Sequence, residues 1–310
     1  MVMNASKKLN LFGQLLLLLA TLAWGTSFFI LKETIETVNE LFVLALRFLF
    51  AGIALGLIFL KNIKKASKKT LLHGLTLGVI LVTAYVVQTY GLSYTTPSRN
   101  AFLTASYCVI VPFLAWLLTK IAPKAYNVIA AVLCIVGIGF VAFSGEQGEG
   151  SNLLLGDGLT LVCAIFYALQ IIFISKYQDA GDDSSVLLVV QVLTVGVVCA
   201  VLSLIFELPN GTAGYQLDLE KILKIGYLAV VCTLLAQMGQ IYGQKFTTAN
   251  QASLILSLEA VFGTLFSVIL GSEELTVGLI IGFAIIFIAM IINELRLDPL
   301  KLFNNKKSIE

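Results

Sequence analysis

Glu259 is the residue with the clearest chemical potential, because this carboxylate lies near the middle of the long apolar stretch 250–270. Its short side chain cannot reach water through lipid from that depth, so it must be neutral, paired or facing a wet cavity. In such a cavity a carboxylate can exchange protons or bind a cation. The alternative is a hydrogen-bonded structural glutamate that braces a neighbouring helix. A second polar stripe on the same stretch is rotated away from Glu259, and the sequence leaves open which of the two faces the centre; the stripe comprises Asn250, Ser253 and Ser257.

Arg47 is the second charge inside an apolar stretch, about two turns from one end of 41–60. Its long side chain can extend to the membrane interface or pair with a carboxylate. We therefore assign Arg47 a structural role.

Aromatic, amide and hydroxyl side chains recur at helical spacing in six apolar stretches. Such polar groups are costly in lipid unless they bond to each other or to a solute. Bonding between helices is the simpler explanation for any one of them, whereas their presence on six stretches favours a lined cavity. The candidate substrate-binding residues, in addition to Glu259, are Trp24, Phe28, Tyr85, Gln88, Asn100, Thr104, Tyr107, Tyr167, Gln170, Gln237 and Gln240.

The sequence contains no motif for catalysis, nucleotide binding or metal binding. Its five cysteines are scattered singly through apolar stretches, and the single histidine, His73, lies at the expected membrane interface next to lysines. We therefore expect no enzyme activity, no metal and no cofactor.

Composition identifies the kind of element that must position these residues. The chain has 310 residues, of which 58% are hydrophobic and 12% charged, with a mean hydropathy of +0.96. A soluble domain has about a quarter of its residues charged, so the sequence predicts an all-α integral membrane protein. Ten apolar stretches approach the length that crosses a bilayer. We number them segments 1 to 10, at 11–31, 41–60, 71–91, 100–119, 125–143, 156–175, 186–206, 222–243, 250–270 and 275–293.

Lysine and arginine residues predict the orientation. With the N-terminus in the cytoplasm, fifteen of them lie on the inner side and only Lys32, Arg99, Lys221 and Lys224 on the outer side. This bias follows the positive-inside rule and places both termini in the cytoplasm. The net charge of +2 gives no reason to expect nucleic-acid binding.

A duplicated stretch divides the chain into halves. Residues 88–96 read Q-T-Y-G-L-S-Y-T-T and residues 240–248 read Q-I-Y-G-Q-K-F-T-T, an offset of 152. Segments 1 and 6 align at an offset nearer 143 because of a longer loop near 207–221. The sequence thus predicts a first five-helix repeat at 11–143, a linker at 144–155, a second repeat at 156–293 and a cytoplasmic tail at 294–310.

Because five is odd, the second repeat enters the membrane from the opposite side, which makes the two repeats inverted. Inverted repeats are the architecture of many secondary transporters, in which the two halves expose a midplane site to each side in turn. A passive channel or facilitator for small organic solutes is the alternative, although channels more often have parallel symmetry about the pore.

Three stretches resemble the drug/metabolite transporter superfamily and its ten-helix EamA-like branch. They read L-A-W-G-T-S-F-F-I-L-K at 22–32, A-L-R-F-L-F-A-G at 45–52 and S-L-I-L-S-L-E-A-V-F-G at 253–263. The resemblance implies a plasma-membrane carrier with ten helices in two inverted repeats and a cavity lined by segments 1, 3, 4, 6, 8 and 9. Members move small metabolites, often amino acids outward. The family pattern has proline after the position of Glu259, so Ala260 predicts a straighter segment 9.

The sequence therefore predicts a secondary transporter, an exporter of a small metabolite such as an amino acid or amine, that works by alternating access with proton coupling at Glu259. Its expected partners are the small-molecule substrate and the lipid bilayer. We expect a monomer or a weak homodimer.

Overall fold

A computed structural model describes residues 2–120, 122–143, 152–211, 213–270 and 274–294. Within these ranges the secondary structure is entirely helical. Most of the predicted linker and nearly all of the predicted tail lie outside the described residues.

Each predicted segment is helical, and segments 4, 8 and 9 are each interrupted. Segments 1 to 5 are Val2–Ile35, Glu40–Ile58, Lys68–Tyr94, Pro97–Ala105 with Tyr107–Thr119, and Ala125–Phe143. Segments 6 to 10 are Leu153–Asp179, Ser184–Leu202, Leu219–Ala229 with Ala236–Gln244, Ala249–Ser257 with Glu259–Ile269, and Val277–Glu294. A short helix, Leu60–Lys64, follows segment 2.

In the part of the chain that the structure describes, eight of these helical stretches are long and apolar enough to cross a membrane. Segments 5 and 10 contain the two shorter apolar helices, Ala125–Val141 and Val277–Ile292. Large apolar side chains such as Leu57 and Leu223 are exposed on the outside of the bundle, where lipid would cover them. The chain is a multi-pass membrane protein.

The duplicated stretch ends in two equivalent helix caps. The Thr96 hydroxyl accepts from the Arg99 amide at 3.4 Å and Pro97 follows it, while the Thr248 hydroxyl accepts from the Gln251 amide at 3.2 Å. Threonine side chains at this position satisfy amides that a helix start leaves without partners. The caps begin segments 4 and 9 at matching positions in the two halves.

Segments 2 and 7 pack on each other through equivalent glycines. Gly52 lies against Leu193, and Gly196 lies against Leu49. The two contacts are equivalent, because Gly196 is 144 residues after Gly52 and Leu193 is 144 residues after Leu49. Gly56 lies against Val189. Because residue numbers rise on one helix as they fall on the other, the two helices are antiparallel.

Segments 5 and 10 also pack on each other in an antiparallel orientation. Gly137 lies against Ile286, and Gly282 lies against Val141. Small residues at such crossings let helix backbones approach closely in a membrane, where lipid supplies no hydrophobic attraction between helices. Both pairs of corresponding segments therefore run antiparallel.

Two further glycine crossings are related by the repeat. A Cβ atom on Gly91 would lie 3.0 Å from the Gly156 carbonyl oxygen, and one on Gly243 would lie 2.9 Å from the Gly13 carbonyl oxygen. The offsets that relate these contacts are 152 for segments 3 and 8 and 143 for segments 1 and 6. Segment 3 is thus held against segment 6 in the same way that segment 8 is held against segment 1.

Alanine at Gly156 should destabilise the protein, because its Cβ would lie 2.8 Å from the Gly91 carbonyl oxygen and 2.9 Å from the Thr95 amide nitrogen. Forcing two backbones apart typically costs about 1–3 kcal/mol. Gly158 provides a matched control on the same helix, since no described atom lies within 4 Å of a Cβ there. We expect a lower aggregation midpoint on heating for Gly156→Ala in detergent and an unchanged or higher one for Gly158→Ala. Equal midpoints would show that the crossing is not tight.

Segments 4 and 9 are broken at equivalent residues, Ser106 and Leu258, which lie 152 positions apart. Alanine at position 260 does not prevent an interruption of segment 9. The Leu258 amide donates to the Ile255 carbonyl at 3.2 Å, as the Ser106 amide donates to the Leu103 carbonyl at 3.3 Å. Such three-residue bonds tighten a helix locally, so the break does not require proline.

Candidate functional site: a cavity between the two halves

A narrow cavity lies where segments 1, 3, 4, 6, 8 and 9 meet. Its volume is about 30 Å³, which is enough for roughly two water molecules. The cavity is too small for an organic molecule while the lining helices keep this arrangement. The lining residues are Trp24, Ser27, Phe28, Tyr85, Gln88, Tyr107, Tyr167, Gln170, Ile171, Gln240, Leu256 and Glu259.

Most lining residues form pairs related by the repeat. The offset of 143 on segments 1 and 6 relates Trp24 to Tyr167, Ser27 to Gln170 and Phe28 to Ile171. The offset of 152 on the later segments relates Gln88 to Gln240 and Tyr107 to Glu259. Both members of each pair line the cavity, so the cavity is built from matching positions of the two halves.

One hydrogen bond joins equivalent residues directly. The Gln237 side-chain amide donates to the Tyr85 hydroxyl at 3.2 Å across a separation of 152 residues. Tyr107 and Glu259, which are also 152 residues apart, both line the cavity. A residue can contact its own equivalent only near the axis that relates the halves. The cavity therefore lies on that axis.

Glu259 faces the cavity, which resolves the question that the sequence left open. It is 5% exposed and is the first residue of the helix Glu259–Ile269 that follows the break in segment 9. The Ser253 and Ser257 hydroxyls instead donate to the Asn250 and Leu254 carbonyls of their own helix at 2.8 and 2.7 Å. Partial positive charge at a helix start stabilises a carboxylate there.

Side-chain amides connect segments around the cavity. The Gln240 amide nitrogen donates to the Gln170 side-chain oxygen at 3.0 Å, and the Gln170 nitrogen donates to the Gln191 oxygen at 3.4 Å. On the other side, the Tyr167 hydroxyl donates to the Gln88 oxygen at 2.7 Å. These bonds link segments 8, 6 and 7 and link segment 6 to segment 3.

Three of the sequence-predicted site residues lie behind the cavity wall. Thr104 accepts from the Gln88 amide at 3.1 Å, Gln237 donates to Tyr85, and Asn100 donates to the Thr160 hydroxyl at 2.8 Å. Helical spacing groups residues on one face, but only part of that face reaches the cavity, because neighbouring helices cover the remainder. These three residues brace the wall or the helices around it, and the other nine predicted residues line the cavity.

Arg47 is fully enclosed at 1% exposure, so it does not extend to the membrane interface. Its Nε atom donates to the Thr233 hydroxyl at 2.9 Å, and its guanidinium lies 5.4 Å from the Tyr85 ring centroid. No carboxylate of the described chain forms an ion pair with it. The Cys232 carbonyl, in the π-helical stretch Val230–Leu235, accepts from Arg47 at 3.4 Å and from Trp24 at 2.9 Å.

The candidate residues omit three lining residues, Ser27 and the apolar Ile171 and Leu256. Neither Ile171 nor Leu256 has a polar group that would have identified it. The repeat was the available signal, since Ile171 matches Phe28 at an offset of 143 and Leu256 matches Thr104 at 152.

His73 lies outside the cavity and joins segment 3 to the loop between segments 6 and 7. Its Nδ1 atom lies 2.6 Å from an Asp182 oxygen, and its ring stacks on Tyr177 at 3.9 Å. Burial alone would raise the pKa of Asp182, but hydrogen bonds from Thr70 and His73 hold that pKa below its usual value. The contact lies at the end of the bundle that the charge pattern predicts to be cytoplasmic.

The chain matches the EamA-like transporter family over residues 11–143 and 154–294. It is 31% identical over 287 residues to an uncharacterized transporter of Archaeoglobus fulgidus. The match covers 93% of this chain and 87% of that protein. A solved structure titled "Crystal structure of protein" has a similar fold, with a TM-score of 0.68 and 16% identity over 91% of this chain and 96% of that one.

Proposed function

Because the chain belongs to the EamA-like transporter family, we propose that it is a secondary active transporter that exports a small metabolite, an amino acid or an amine. Transport proceeds by alternating access and is coupled to protons through Glu259. The observation that carries this proposal is the cavity lined by equivalent residues of both halves.

The proposed architecture has ten membrane-crossing helices in two inverted repeats of five. Segments 5 and 10 cross the membrane in spite of their shorter apolar helices. The antiparallel packing of segment 2 on segment 7 and of segment 5 on segment 10 supports this arrangement. Both termini lie in the cytoplasm, and the protein resides in the plasma membrane.

The broken segments 4 and 9 supply the moving parts of the mechanism. Tyr107 and Glu259 each begin the half-helix that follows a break, and both line the cavity. Discontinuous helices at a midplane site are common in carriers with inverted repeats. When one half rocks against the other, the cavity widens towards one side while the glycine crossings close the opposite side.

Solute exchange in liposomes tests the proposal. Purified protein is reconstituted, and radiolabelled amino acids and amines are measured with and without unlabelled solute on the opposite side. An alternating-access carrier shows trans-stimulation of at least one labelled solute, because the loaded carrier returns faster than the empty one. Flux that never saturates and never responds to solute on the opposite side would instead indicate the channel alternative.

Accessibility of paired cysteines provides a second test. Tyr94 and Phe246 are equivalent positions after segments 3 and 8, so Tyr94→Cys and Phe246→Cys report on opposite ends of the bundle. The five native cysteines are buried and should react slowly with a membrane-impermeant maleimide. We expect a transported solute to raise labelling at one end and lower it at the other. Equal labelling at both ends, unchanged by solute, would exclude alternating access.

A further inference from the structure

Hydrogen bonds inside the cavity wall occupy the donors of its tryptophan and one of its tyrosines. The Trp24 ring nitrogen donates to the Cys232 carbonyl at 2.9 Å, and the Tyr167 hydroxyl donates to Gln88 at 2.7 Å. These groups are therefore turned towards protein acceptors and are not available to an anion.

Gln240 offers a hydrogen-bond acceptor. Its nitrogen donates to Gln170 at 3.0 Å, and its oxygen is a buried acceptor without a partner in the described part of the chain. The residue is 2% exposed and lines the cavity. A buried amide oxygen without a hydrogen-bond partner costs the protein roughly 1–3 kcal/mol of stability. A solute that donates a hydrogen bond to this oxygen recovers that loss.

Glu259 is the second acceptor on the cavity wall. Its carboxylate is almost entirely enclosed, and the Arg99 and Arg47 side chains are not among the residues that line the cavity. A buried carboxyl group is either protonated or in contact with a counter-charge. An ammonium group placed in the cavity supplies that charge.

Aromatic rings complete the surroundings of a cation. Trp24, Phe28, Tyr85, Tyr107 and Tyr167 all line the cavity. The Tyr167 ring meets the Tyr85 ring edge-on at 5.6 Å and the Tyr107 ring at 6.4 Å. Ring faces attract ammonium groups through their quadrupoles, and the attraction is larger in a desolvated site.

A solute carboxylate finds no cationic partner there. Among the described lining residues none is lysine or arginine. The Nε atom and one terminal nitrogen of Arg47 donate to Thr233 and Cys232. The Tyr85 hydroxyl accepts from Gln237, and a single phenol gives a carboxylate little compensation. Burial of an unpaired carboxylate is strongly unfavourable.

We infer that the cavity binds the ammonium group of a small organic amine, with Gln240 as a specificity-determining residue, and rejects the zwitterionic amino acid of the same skeleton. This inference rests on the proposed transport function and chooses between its two solute classes. Gln240 accepts one ammonium hydrogen, Glu259 balances the charge, and the rings surround the remaining apolar surface.

Binding to the unmodified protein tests the inference with sets of solutes that share one skeleton. One set is phenethylamine, phenylalanine and 3-phenylpropionate, and a second is isoamylamine, leucine and 4-methylpentanoate. Calorimetry in detergent should show at least one amine binding tenfold or more tightly than the amino acid of the same skeleton. It should show no binding of 3-phenylpropionate or 4-methylpentanoate. Equal or tighter binding of the amino acids would overturn the inference, and so would a failure of both amines to bind. Neither result would contradict the proposed transporter. Loss of trans-stimulation for every solute would instead contradict the transporter itself.

Gln240→Leu isolates the acceptor, and Gln244→Leu is the matched control. Gln244 lies one turn further on the same helix, is equally buried, and donates to the Ile171 carbonyl at 3.1 Å, but does not line the cavity. A hydrogen bond to a charged group is worth enough to change affinity by roughly tenfold to a hundredfold. We expect that loss of amine affinity in Gln240→Leu and little change in Gln244→Leu. An equal effect of both substitutions, or of neither, would remove Gln240 from the specificity role.

Discussion

Glu259→Gln should reduce proton-coupled solute exchange to the level of protein-free liposomes. Glutamine keeps the size of the side chain and one acceptor oxygen but can neither release a proton nor balance a bound cation. Because Glu259 lines the narrow cavity, the loss of charge acts at the site itself. Exchange of labelled solute across a range of pH values measures the effect, and size-exclusion chromatography checks that the variant is folded.

Glu33→Gln is the matched control for this substitution. Glu33 is 40% exposed and pairs with Lys224 at 3.1 Å, outside the cavity, and exposed pairs contribute little to stability. We expect exchange in this variant to resemble that of the unmodified protein. Full pH-dependent exchange in Glu259→Gln would remove Glu259 from the coupling role.

Asp157→Ala should be the most destabilising of these substitutions. Asp157 of segment 6 pairs with Arg99 of segment 4, and the exposures of these residues are 4% and 1%. The Arg99 Nε atom donates to Asp157 at 3.2 Å, and the Thr95 hydroxyl donates to it at 2.8 Å. Removing one partner leaves a buried charge unpaired, which typically costs about 3–5 kcal/mol. Chemical unfolding or the heating midpoint in detergent measures the loss.

The double variant Asp157→Leu with Arg99→Met separates charge from packing. Replacing both members of a buried pair by apolar residues is often nearly neutral, so this variant should recover much of the stability that Asp157→Ala loses. Asp179→Ala, at an exposed position near the other end of segment 6, should remain close to the unmodified protein. If Asp157→Ala were as stable as Asp179→Ala, the ion pair would not hold segments 4 and 6 together.

The local features of the fold are predictable from sequence because they depend on near neighbours. Apolar length locates the helices, and threonine before the start of segments 4 and 9 predicts their caps. The breaks in segments 4 and 9 were both missed, because local helix tightening at Ser106 and Leu258 carries no proline signal.

Composition, periodicity and duplication by themselves determined the membrane-embedded helices, the two halves and the short set of polar residues from which a site would be drawn, and the resemblance of three short stretches indicated the family. The tertiary structure alone decided which faces meet. It placed Thr104 behind the wall and Glu259 in the cavity, enclosed Arg47 against Thr233, and joined Arg99 to Asp157. Spacing along a helix groups residues on a face, whereas the rotation of that face depends on how closely every neighbouring helix can approach. Contacts such as that between Gly91 and Gly156 set those distances across parts of the chain far apart in sequence.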